Sequence, residues 1–286
     1  MTKKIIITGT SGYVGKALLE HFSSLENYFI YAFQRKIQKE TTKNVSYVEY
    51  HLEKELNDSD FKDIDILIHC AYKPLLSNNE EDINFSGTKK LIEKCRTHNI
   101  KIIFLSTVSA QEHITSRYAV SKMSIEKLLD IQKDVILKLG LVIGNGGLFM
   151  KMFSFIKKIP FVPIFDNGVQ KLQYISLIDV CKICSLIIDN FKAGDYVIVK
   201  NETLTMKLFY KKIANHLGKK RFFISISTSF LLRLLGFTQS IGLKLPISTE
   251  NLKGLKNMSS LPQHLVPEIT DADLRDFDES LLTFKK

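Results

Sequence analysis

The chain has few cysteines, and they lack the partners that a structural zinc site requires. Of the 4 cysteines, Cys181 and Cys184 have the spacing of half a zinc site, but the sequence contains no second such pair and no two histidines at ligand spacing. On a predicted helix this spacing places two small apolar side chains on one face. We therefore expect no metal site, and we interpret the cysteines as core thiols of a protein in a reducing compartment.

Neither a signal peptide nor a membrane-spanning helix is expected. The first residues lead directly into a predicted strand, without the charged region, apolar core and cleavage site of a signal peptide. The most apolar long stretch, residues 222–243, contains Arg233 and many Ser, Thr and Gln residues, which argues against a membrane helix. We expect a cytoplasmic protein.

A stripe of basic residues with interleaved aromatics, typical of nucleic-acid binding, is also not evident. The net charge is +10 and the pI is about 9.2, but the lysines are scattered among acids along the chain. We interpret them as a solvated lysine-rich surface and expect no nucleic-acid partner. The hydrophobic content of 45% and charged content of 24% are ordinary for globular proteins, and no repeat is visible.

The sequence does contain a glycine-rich turn between a predicted strand and a predicted helix. A β-branched run ends at Gly9, and glycines recur at positions 12 and 15 before apolar residues at helical spacing. Gly9 allows the turn, Gly12 leaves room for a pyrophosphate, and Gly15 lets the helix approach the strand. The helix N-terminus then attracts that anion. The predicted cofactor-binding residues of this turn are Gly9, Thr10, Ser11, Gly12, Tyr13, Val14 and Gly15.

The end of the second predicted strand indicates which nicotinamide cofactor fits. An acidic residue at this point accepts hydrogen bonds from the ribose hydroxyls of NAD, whereas the 2′-phosphate of NADP requires positive charge. The sequence here reads Phe33-Gln34-Arg35-Lys36, and the first acid is Glu40. We therefore predict NADP, with NAD as the alternative, and assign Arg35 and Lys36 to the phosphate. The other interpretation is that both are ordinary loop charges.

A tyrosine and a lysine four residues apart form the predicted catalytic pair. Tyr118 and Lys122 lie on a predicted helix, where this spacing places both side chains on one face. A neighbouring ammonium group lowers the pKa of a phenol, which makes it a usable acid or base near neutral pH. Thr107, at the end of the preceding strand, is positioned to donate to a substrate oxygen.

Together these motifs resemble the short-chain dehydrogenase/reductase superfamily, in its extended or atypical branch, the NAD-dependent epimerase/dehydratase family. The resemblance implies that Tyr118 donates or accepts the proton, that Lys122 also binds the nicotinamide ribose, and that Thr107 polarises the substrate. It further implies that Asn84 supports a water or backbone relay, and we add Ala71, Tyr72 and Leu141 to the cofactor site. The motifs that support the resemblance are TGTSGYVG (8–15), HCA (69–71), NFSGT (84–88), LST (105–107), YAVSK (118–122), LGLVIG (139–144) and YISLIDV (174–180).

Three departures from the family pattern concern the substrate and the adenine. His51 replaces the usual aspartate after the third strand, and Leu172 occupies the position of an arginine that grips the diphosphate in many sugar-nucleotide epimerases. Lys171 is displaced from that position by one residue. The interval from Thr107 to Tyr118 is also short. The fold and the cofactor are therefore better supported than a nucleotide-sugar substrate.

The predicted fold class is α/β, a Rossmann-type doubly wound parallel sheet with a smaller C-terminal α/β substrate lobe. We expect residues 1–145 to bind the dinucleotide, with the sheet completed by part of 172–200, and residues 146–286 to form mainly the substrate lobe. Within that lobe, Pro160 and Pro163 predict a loop, Thr203 is the expected cap of a helix to Leu217, and Asp179 is expected to be a helix N-terminal charge.

The apolar segment Ser227 to Gly236 is predicted to be a helix buried in the lobe. A partner subunit or a membrane surface, the latter helped by Lys219, Lys220 and Arg221, would be the other ways of covering it.

We expect an enzyme that reduces or epimerises a keto group, and the resemblance implies a nucleotide-linked sugar as substrate. Reduction is favoured, because NADP usually serves as a diffusible reductant. The alternatives are a non-catalytic NADP-binding redox sensor or assembly protein, and a reductase of an apolar, lipid-like or steroid-like carbonyl. The resemblance also makes a homodimer an open expectation.

Overall fold

Parallel strands and helices alternate through the first half of the chain. The computed structural model describes residues 2–37, 43–74, 82–202, 204–227 and 260–284. In chain order the first elements are β1 (Lys3–Thr8), α1 (Tyr13–Ser23), β2 (Tyr28–Gln34), β3 (Val45–Glu49), β4 (Ile66–His69), α2 (Ile83–Thr97), β5 (Lys101–Thr107), α3 (Arg117–Glu126) and β6 (Val135–Leu139). The later elements are β7 (Leu141–Ile143), α4 (Gly147–Lys158), β8 (Phe161–Phe165), β9 (Lys171–Leu172), β10 (Tyr174–Ser176), α5 (Leu177–Asp189), β11 (Gly194–Ile198), β12 (Leu204–Thr205), α6 (Met206–His216), β13 (Phe222–Ile226) and α7 (Phe277–Leu282).

Seven strands form one parallel sheet, in the order β11-β6-β5-β4-β1-β2-β3. The strand order reverses at β1, which pairs with β2 on one side and β4 on the other. This arrangement confirms the predicted Rossmann-type doubly wound sheet. Ligands of such sheets bind beyond the carboxyl ends of the strands at the reversal point.

Helices cover both faces of the sheet, which explains why its strands read as continuous apolar runs. Ile5 and Ile7 point towards α1 and α5, where Leu18 and Phe22 are buried with them. Ile6 points to the opposite face and belongs to the hydrophobic cluster formed with α2. All three isoleucines are therefore buried, whichever face of the sheet their side chains meet.

The C-terminal elements add three two-stranded sheets beside the large one. β7 pairs with β10, β9 pairs antiparallel with β12, and β8 pairs parallel with β13. A second hydrophobic cluster joins α4, β8, α6 and α7, with Phe149, Phe209 and Phe277 at its centre.

Two local predictions in the C-terminal half were wrong, and a third was incomplete. Pro163 lies within strand β8 and not in a loop, because among the described residues β8 pairs with β13 alone and an edge strand tolerates a missing N–H. The cap of α6 is Thr205, whose hydroxyl accepts from Leu208 N at 3.2 Å, whereas Thr203 lies outside the described residues. Asp179 lies in the first turn of α5, as predicted, and it is also buried and forms an ion pair with Arg275 that the sequence did not indicate.

The predicted helix at 227–236 lies, after Ser227, outside the described residues, and so does Glu40. Where the structure describes the chain, no helix is both long and apolar enough to cross a membrane.

A buried ion pair connects α2 to the start of β6. The carboxylate of Asp134 is fully buried and accepts from both terminal nitrogens of Arg96, at 2.9 Å from Nη1, and from Asp130 N at 3.0 Å. Arg96→Met would leave this carboxylate buried without its cation. We expect the free energy of unfolding to fall by about 3 kcal/mol in urea denaturation.

The matched control is Lys94→Met on the same helix, because the Lys94–Asp58 pair lies at the surface. Its loss should cost less than about 1 kcal/mol. Equal losses for the two variants would contradict the special role of the buried pair.

Candidate active site

The crevice at the strand reversal begins where two chain segments nearly touch. Gly9 has a φ of 70°, and a Cβ built there would lie 2.8 Å from Ala71 Cα. Only glycine allows this turn and this approach at once. The glycine loop after β1 and the segment after β4 therefore meet at the carboxyl edge of the sheet.

The other two glycines of the loop differ in what surrounds them. A Cβ at Gly15 would clash with the carbonyl oxygen of Gly9, so helix α1 depends on this close approach. A Cβ at Gly12 would meet only Gly9 O, at 3.1 Å, and Gly12 has an ordinary φ of −85°. The space beside Gly12 is open to a ligand. No side chain caps α1, and its first turn contains no acid, which suits an anion such as a pyrophosphate.

A cavity of about 490 Å³ opens beside this loop. It extends from the glycines towards the ends of β2 and β3, the size and place expected for the adenosine half of a dinucleotide. Arg35 lines it, whereas Lys36 is not among its lining residues. The residues around it are Gly9, Ser11, Gly12, Phe33, Gln34, Arg35, Tyr50, His51, Leu52, Glu53, Cys70, Ala71, Tyr72, Lys73, Pro74 and Ile83.

Gln34 is a cavity residue that the sequence analysis did not single out. It is buried, and its Oε1 accepts from the Thr10 hydroxyl at 3.0 Å. Its Nε2 is buried without a hydrogen-bond partner among the described residues. A buried amide with unused donors costs stability unless a ligand oxygen accepts from it. The cavity therefore fits a group with oxygen acceptors at the end of β2, as the ribose or phosphate of a dinucleotide has.

A buried histidine connects the two strands at the edge of the crevice. Thr8 Oγ1 accepts from Cys70 N and Ala71 N, each at 3.1 Å, so its own proton goes to His69 Nδ1 at 2.8 Å. The proton of His69 is therefore on Nε2, which donates to Thr88 Oγ1 at 2.9 Å. Burial lowers the pKa of His69 to about 3, and the imidazole stays neutral.

Asn84 uses its amide to hold the cavity wall. Its Oδ1 accepts from Lys73 N at 2.7 Å, and its Nδ2 donates to Lys73 O at 2.9 Å. These contacts position the segment after β4. The part of Asn84 in a catalytic relay remains a prediction.

Thr107, Tyr118 and Lys122 lie together beside this wall. The Thr107 hydroxyl lies close enough to the Tyr118 phenol to lower its pKa, and the Tyr118 ring contacts the edge of Tyr72 at a centroid distance of 5.0 Å. Lys122 is buried, and its Nζ donates to Leu105 O at 2.6 Å. Tyr72 borders the cavity, so the three residues adjoin the candidate dinucleotide site.

The expected lowering of the Tyr118 pKa by Lys122 was wrong. Burial raises the pKa of Tyr118 to about 12, and the opposing influence is the Thr107 hydrogen bond, not the ammonium of Lys122. Burial also lowers the pKa of Lys122 to about 8. The residue Tyr118 is 43% exposed at the cleft, so water limits the rise. At neutral pH the phenol retains its proton and most of the lysine is charged.

Several other predicted residues lie away from the cavity. Leu141 lies in β7 and packs against the second hydrophobic cluster, whereas Val14 packs against the cluster beneath α1. Leu172 is buried in that second cluster, and the exposed Lys171 lies on the opposite face of the same short strand. The two side chains therefore lie on opposite faces of β9.

Tyr13 packs beneath a second glycine-rich loop. A Cβ at Gly146 would overlap the Tyr13 ring, and one at Gly147 would lie 2.8 Å from its Cδ1. The Tyr13 hydroxyl is buried without a hydrogen-bond partner among the described residues. The sequence predicted the second loop, but the aromatic ring that requires its glycines is far away in the chain.

Within the described residues, no group of three or more His, Cys, Asp or Glu side chains is arranged to hold a metal ion. Cys95, Cys181 and Cys184 are buried free thiols, and Cys70 is half-buried. Burial raises the pKa of the Cys181 thiol to about 12, so it remains protonated.

The sequence profile of the NAD dependent epimerase/dehydratase family matches residues 5–199, more than half of the chain. The chain belongs to this family. No functionally curated protein is significantly similar to it in sequence.

Solved structures support the fold of this family member over nearly its whole length. The dTDP-glucose 4,6-dehydratase of Bacillus anthracis, in complex with NAD, has a TM-score of 0.64 and 16% identity, covering 90% of this chain and 95% of that chain. The UDP-glucuronic acid 4-epimerase of Bacillus cereus, also with NAD, gives 0.66 and 16%, covering 88% and 94%. The UDP-N-acetylglucosamine 4-epimerase of Bacillus cereus gives 0.64 and 20%, covering 91% and 99%. At such identities, the likeness establishes the fold.

The contact between Tyr13 and the second loop of this epimerase/dehydratase family member gives a test. Gly146 has an extended backbone, so Gly146→Ala meets no backbone strain, and the three atoms nearest to the new Cβ all belong to the Tyr13 ring. We expect it to cost about 1–3 kcal/mol of unfolding free energy. In a Tyr13→Ala background, denaturant unfolding should show a much smaller cost, because the ring is gone. The same cost in both backgrounds would contradict this contact.

Proposed function

We propose that the protein is an NADPH-dependent reductase of the short-chain type that reduces a keto group of a nucleotide-linked sugar. The observation behind this proposal is the convergence of Thr107, Tyr118 and Lys122 beside the candidate dinucleotide site. A bound nicotinamide would supply the hydride to the carbonyl carbon. Tyr118 would give its proton to the carbonyl oxygen, and Thr107 would orient that oxygen.

The protonation state of Tyr118 favours reduction over epimerisation. Reduction begins with a protonated acid, and burial keeps the pKa of Tyr118 raised. Epimerisation through oxidation and return of the hydride would first require a phenolate as base. Because water reaches the 43% exposed tyrosine, a bound cofactor and the Lys122 ammonium would still be able to lower this pKa. Lys122 would therefore stabilise the phenolate that forms when Tyr118 gives its proton to the substrate.

NADP is the proposed cofactor, and the dinucleotide would lie along the crevice at the strand reversal. The open space at Gly12 and the uncapped start of α1 would receive the pyrophosphate. Gln34 offers a donor where NAD-binding proteins place an acid, and Arg35 lines the same cavity. The Gln34 amide and the Arg35 guanidinium suit the 2′-phosphate of NADP better than the two ribose hydroxyls of NAD.

A nucleotide sugar is the proposed substrate class, such as a nucleoside-diphosphate 4-keto-6-deoxyhexose. The support comes from the family and from neighbours whose names state UDP- or dTDP-sugars. We propose that residues 146–286 mainly provide the substrate lobe, and residues 1–145 the dinucleotide domain. Since Leu172 is buried, a group other than an arginine at that position would have to bind the diphosphate.

The first experiment measures the loss of NADPH absorbance with a panel of UDP- and dTDP-4-keto-6-deoxy sugars. We expect oxidation with one donor. Tyr118→Phe should lower turnover by about 10²–10⁴-fold, because only the proton donor is removed, while NADPH affinity stays nearly constant. Tyr47→Phe, on β3 and outside the cavity lining, is the matched control and should keep full turnover.

Silence across the panel with tight NADPH binding would contradict the nucleotide-sugar reductase. It would favour an apolar carbonyl substrate or a binding-only protein. Turnover that survives in Tyr118→Phe would contradict the role of the tyrosine.

The cofactor preference is tested by titrating NADPH and NADH into variants of the β2 end. Arg35→Ala should weaken NADPH binding about tenfold or more, with little effect on NADH, because a charge-assisted bond to the phosphate is lost. Gln34→Glu should shift the preference towards NADH, since a carboxylate repels the phosphate and accepts from ribose hydroxyls.

Lys62→Ala, an exposed lysine outside the cavity lining, controls for the general loss of positive charge. Parallel losses of NADPH and NADH in Arg35→Ala, or tighter binding of NADH by the unaltered protein, would contradict NADP as the cofactor.

A further inference from the structure

Two segments that build the C-terminal elements contain no acidic residue. Residues 147–165 and 204–227 together hold nine lysines and arginines and no Asp or Glu, almost the whole of the chain's net charge of +10. The lysines of the chain as a whole are scattered among acids, as the sequence analysis found, but these two segments are an exception. They form α4, β8, α6 and β13, which lie side by side.

An exposed apolar strip lies on the two-stranded sheet of the same region. We define the strip as Ile159, Phe161, Phe222 and Ile224. Phe161 is 57% exposed, Phe222 is 62% exposed, and their rings stack at a centroid distance of 5.5 Å. Ile224 is 49% exposed on the same face. The opposite face of this small sheet is buried against the second hydrophobic cluster, so the strip is the outer face of a well-anchored element.

Five cations lie next to the strip. Lys157 and Lys158 precede β8, whereas Lys219, Lys220 and Arg221 precede β13. Because these two strands are parallel, both groups of cations lie at the same end of the two-stranded sheet. Arg221 Nε donates to Ile156 O at 2.6 Å, and Lys219 Nζ donates to Lys157 O at 2.9 Å, so the two groups are in direct contact.

These charges are not neutralised within the part of the chain that the structure describes. None of the five cations lies within ion-pair distance of a described carboxylate; Glu202 and Asp278 instead pair with Lys212, elsewhere on α6. Within the described residues, this surface therefore presents stacked aromatic and aliphatic side chains next to a cluster of positive charges without acidic partners.

Two other occupants fit this surface less well. In a two-fold contact with a second copy, the same patch faces itself, which would bring the five cations together. A single-stranded nucleic acid uses flat rings as stacking platforms, but Ile159 and Ile224 offer none, and the two phenylalanine rings stack on each other.

We propose that this strip and its five cations dock the protein on the surface of a membrane that contains anionic lipids. The phenylalanine and isoleucine side chains would enter the boundary between headgroups and acyl chains. The ammonium and guanidinium groups would then lie at the level of the lipid phosphates. The contact would be peripheral and reversible, and it does not depend on the proposed catalytic function.

Flotation of the full chain with lipid vesicles tests the proposal. We expect binding to vesicles of phosphatidylcholine mixed with phosphatidylglycerol, weaker binding at high salt, and none to phosphatidylcholine alone. Lys219→Glu with Lys220→Glu should weaken binding by about fivefold or more per residue. Lys89→Glu with Lys90→Glu, an exposed pair on α2, changes the net charge equally and should bind as the unaltered protein does.

A second variant removes the apolar part. Phe161→Ser with Phe222→Ser replaces exposed side chains, so its thermal unfolding should stay close to that of the unaltered protein while flotation is lost. Flotation that is unchanged in this variant, or absent in the unaltered protein, would overturn the proposal. Binding of oligouridine without binding to vesicles would also overturn it, in favour of a nucleic-acid partner. So would a dimer, measured by light scattering, that forms in the unaltered protein and is lost only in the Phe161/Phe222 variant.

Discussion

The contact between the carboxyl ends of β1 and β4 is the constraint on which the crevice depends. Gly9 and Ala71 approach so closely that no side chain fits between them. Beside them, one hydroxyl of Thr8 is bonded to two backbone N–H groups and to His69. Every polar atom of this hydrogen-bond network has a partner, and such a fully satisfied network is rigid in the low-dielectric interior. The neutral His69 is hydrogen-bonded through both of its ring nitrogens. Burial lowers its pKa, so the ring does not take up a second proton, which would disrupt these hydrogen bonds.

Much of the fold was predictable because its signals are local. A parallel sheet covered on both faces requires unbroken apolar strands, and the runs at Ile5 and Ile102 show this directly. The glycine turn and the i, i+4 pair on α3 are also local patterns. What the sequence did not indicate are partners distant in the chain. Asp179 pairs with Arg275, and Tyr13 packs against Gly146. Both contacts join residues too far apart in the chain for sequence periodicity to predict them.

The candidate site shows the same division. Spacing predicted that Tyr118 and Lys122 share a helix face, but it did not predict that the lysine would donate to Leu105 O. The balance between burial and charge at a phenol depends on every atom around it, so its direction could not be inferred from two residues. The role of Gln34 in the cavity could not be predicted for a related reason. An amide without a hydrogen-bond partner can be recognised only when the atoms around it are known.

The ring of Tyr13 beneath Gly146 and Gly147 has a consequence for the cost of binding. The first turn of α1 and the start of α4 contact each other directly within the folded chain. Their relative position is therefore set during folding, and a dinucleotide that reaches α1 does not have to order the second loop. The conformational entropy of these two segments is lost when the chain folds, so dinucleotide binding does not carry this entropic cost.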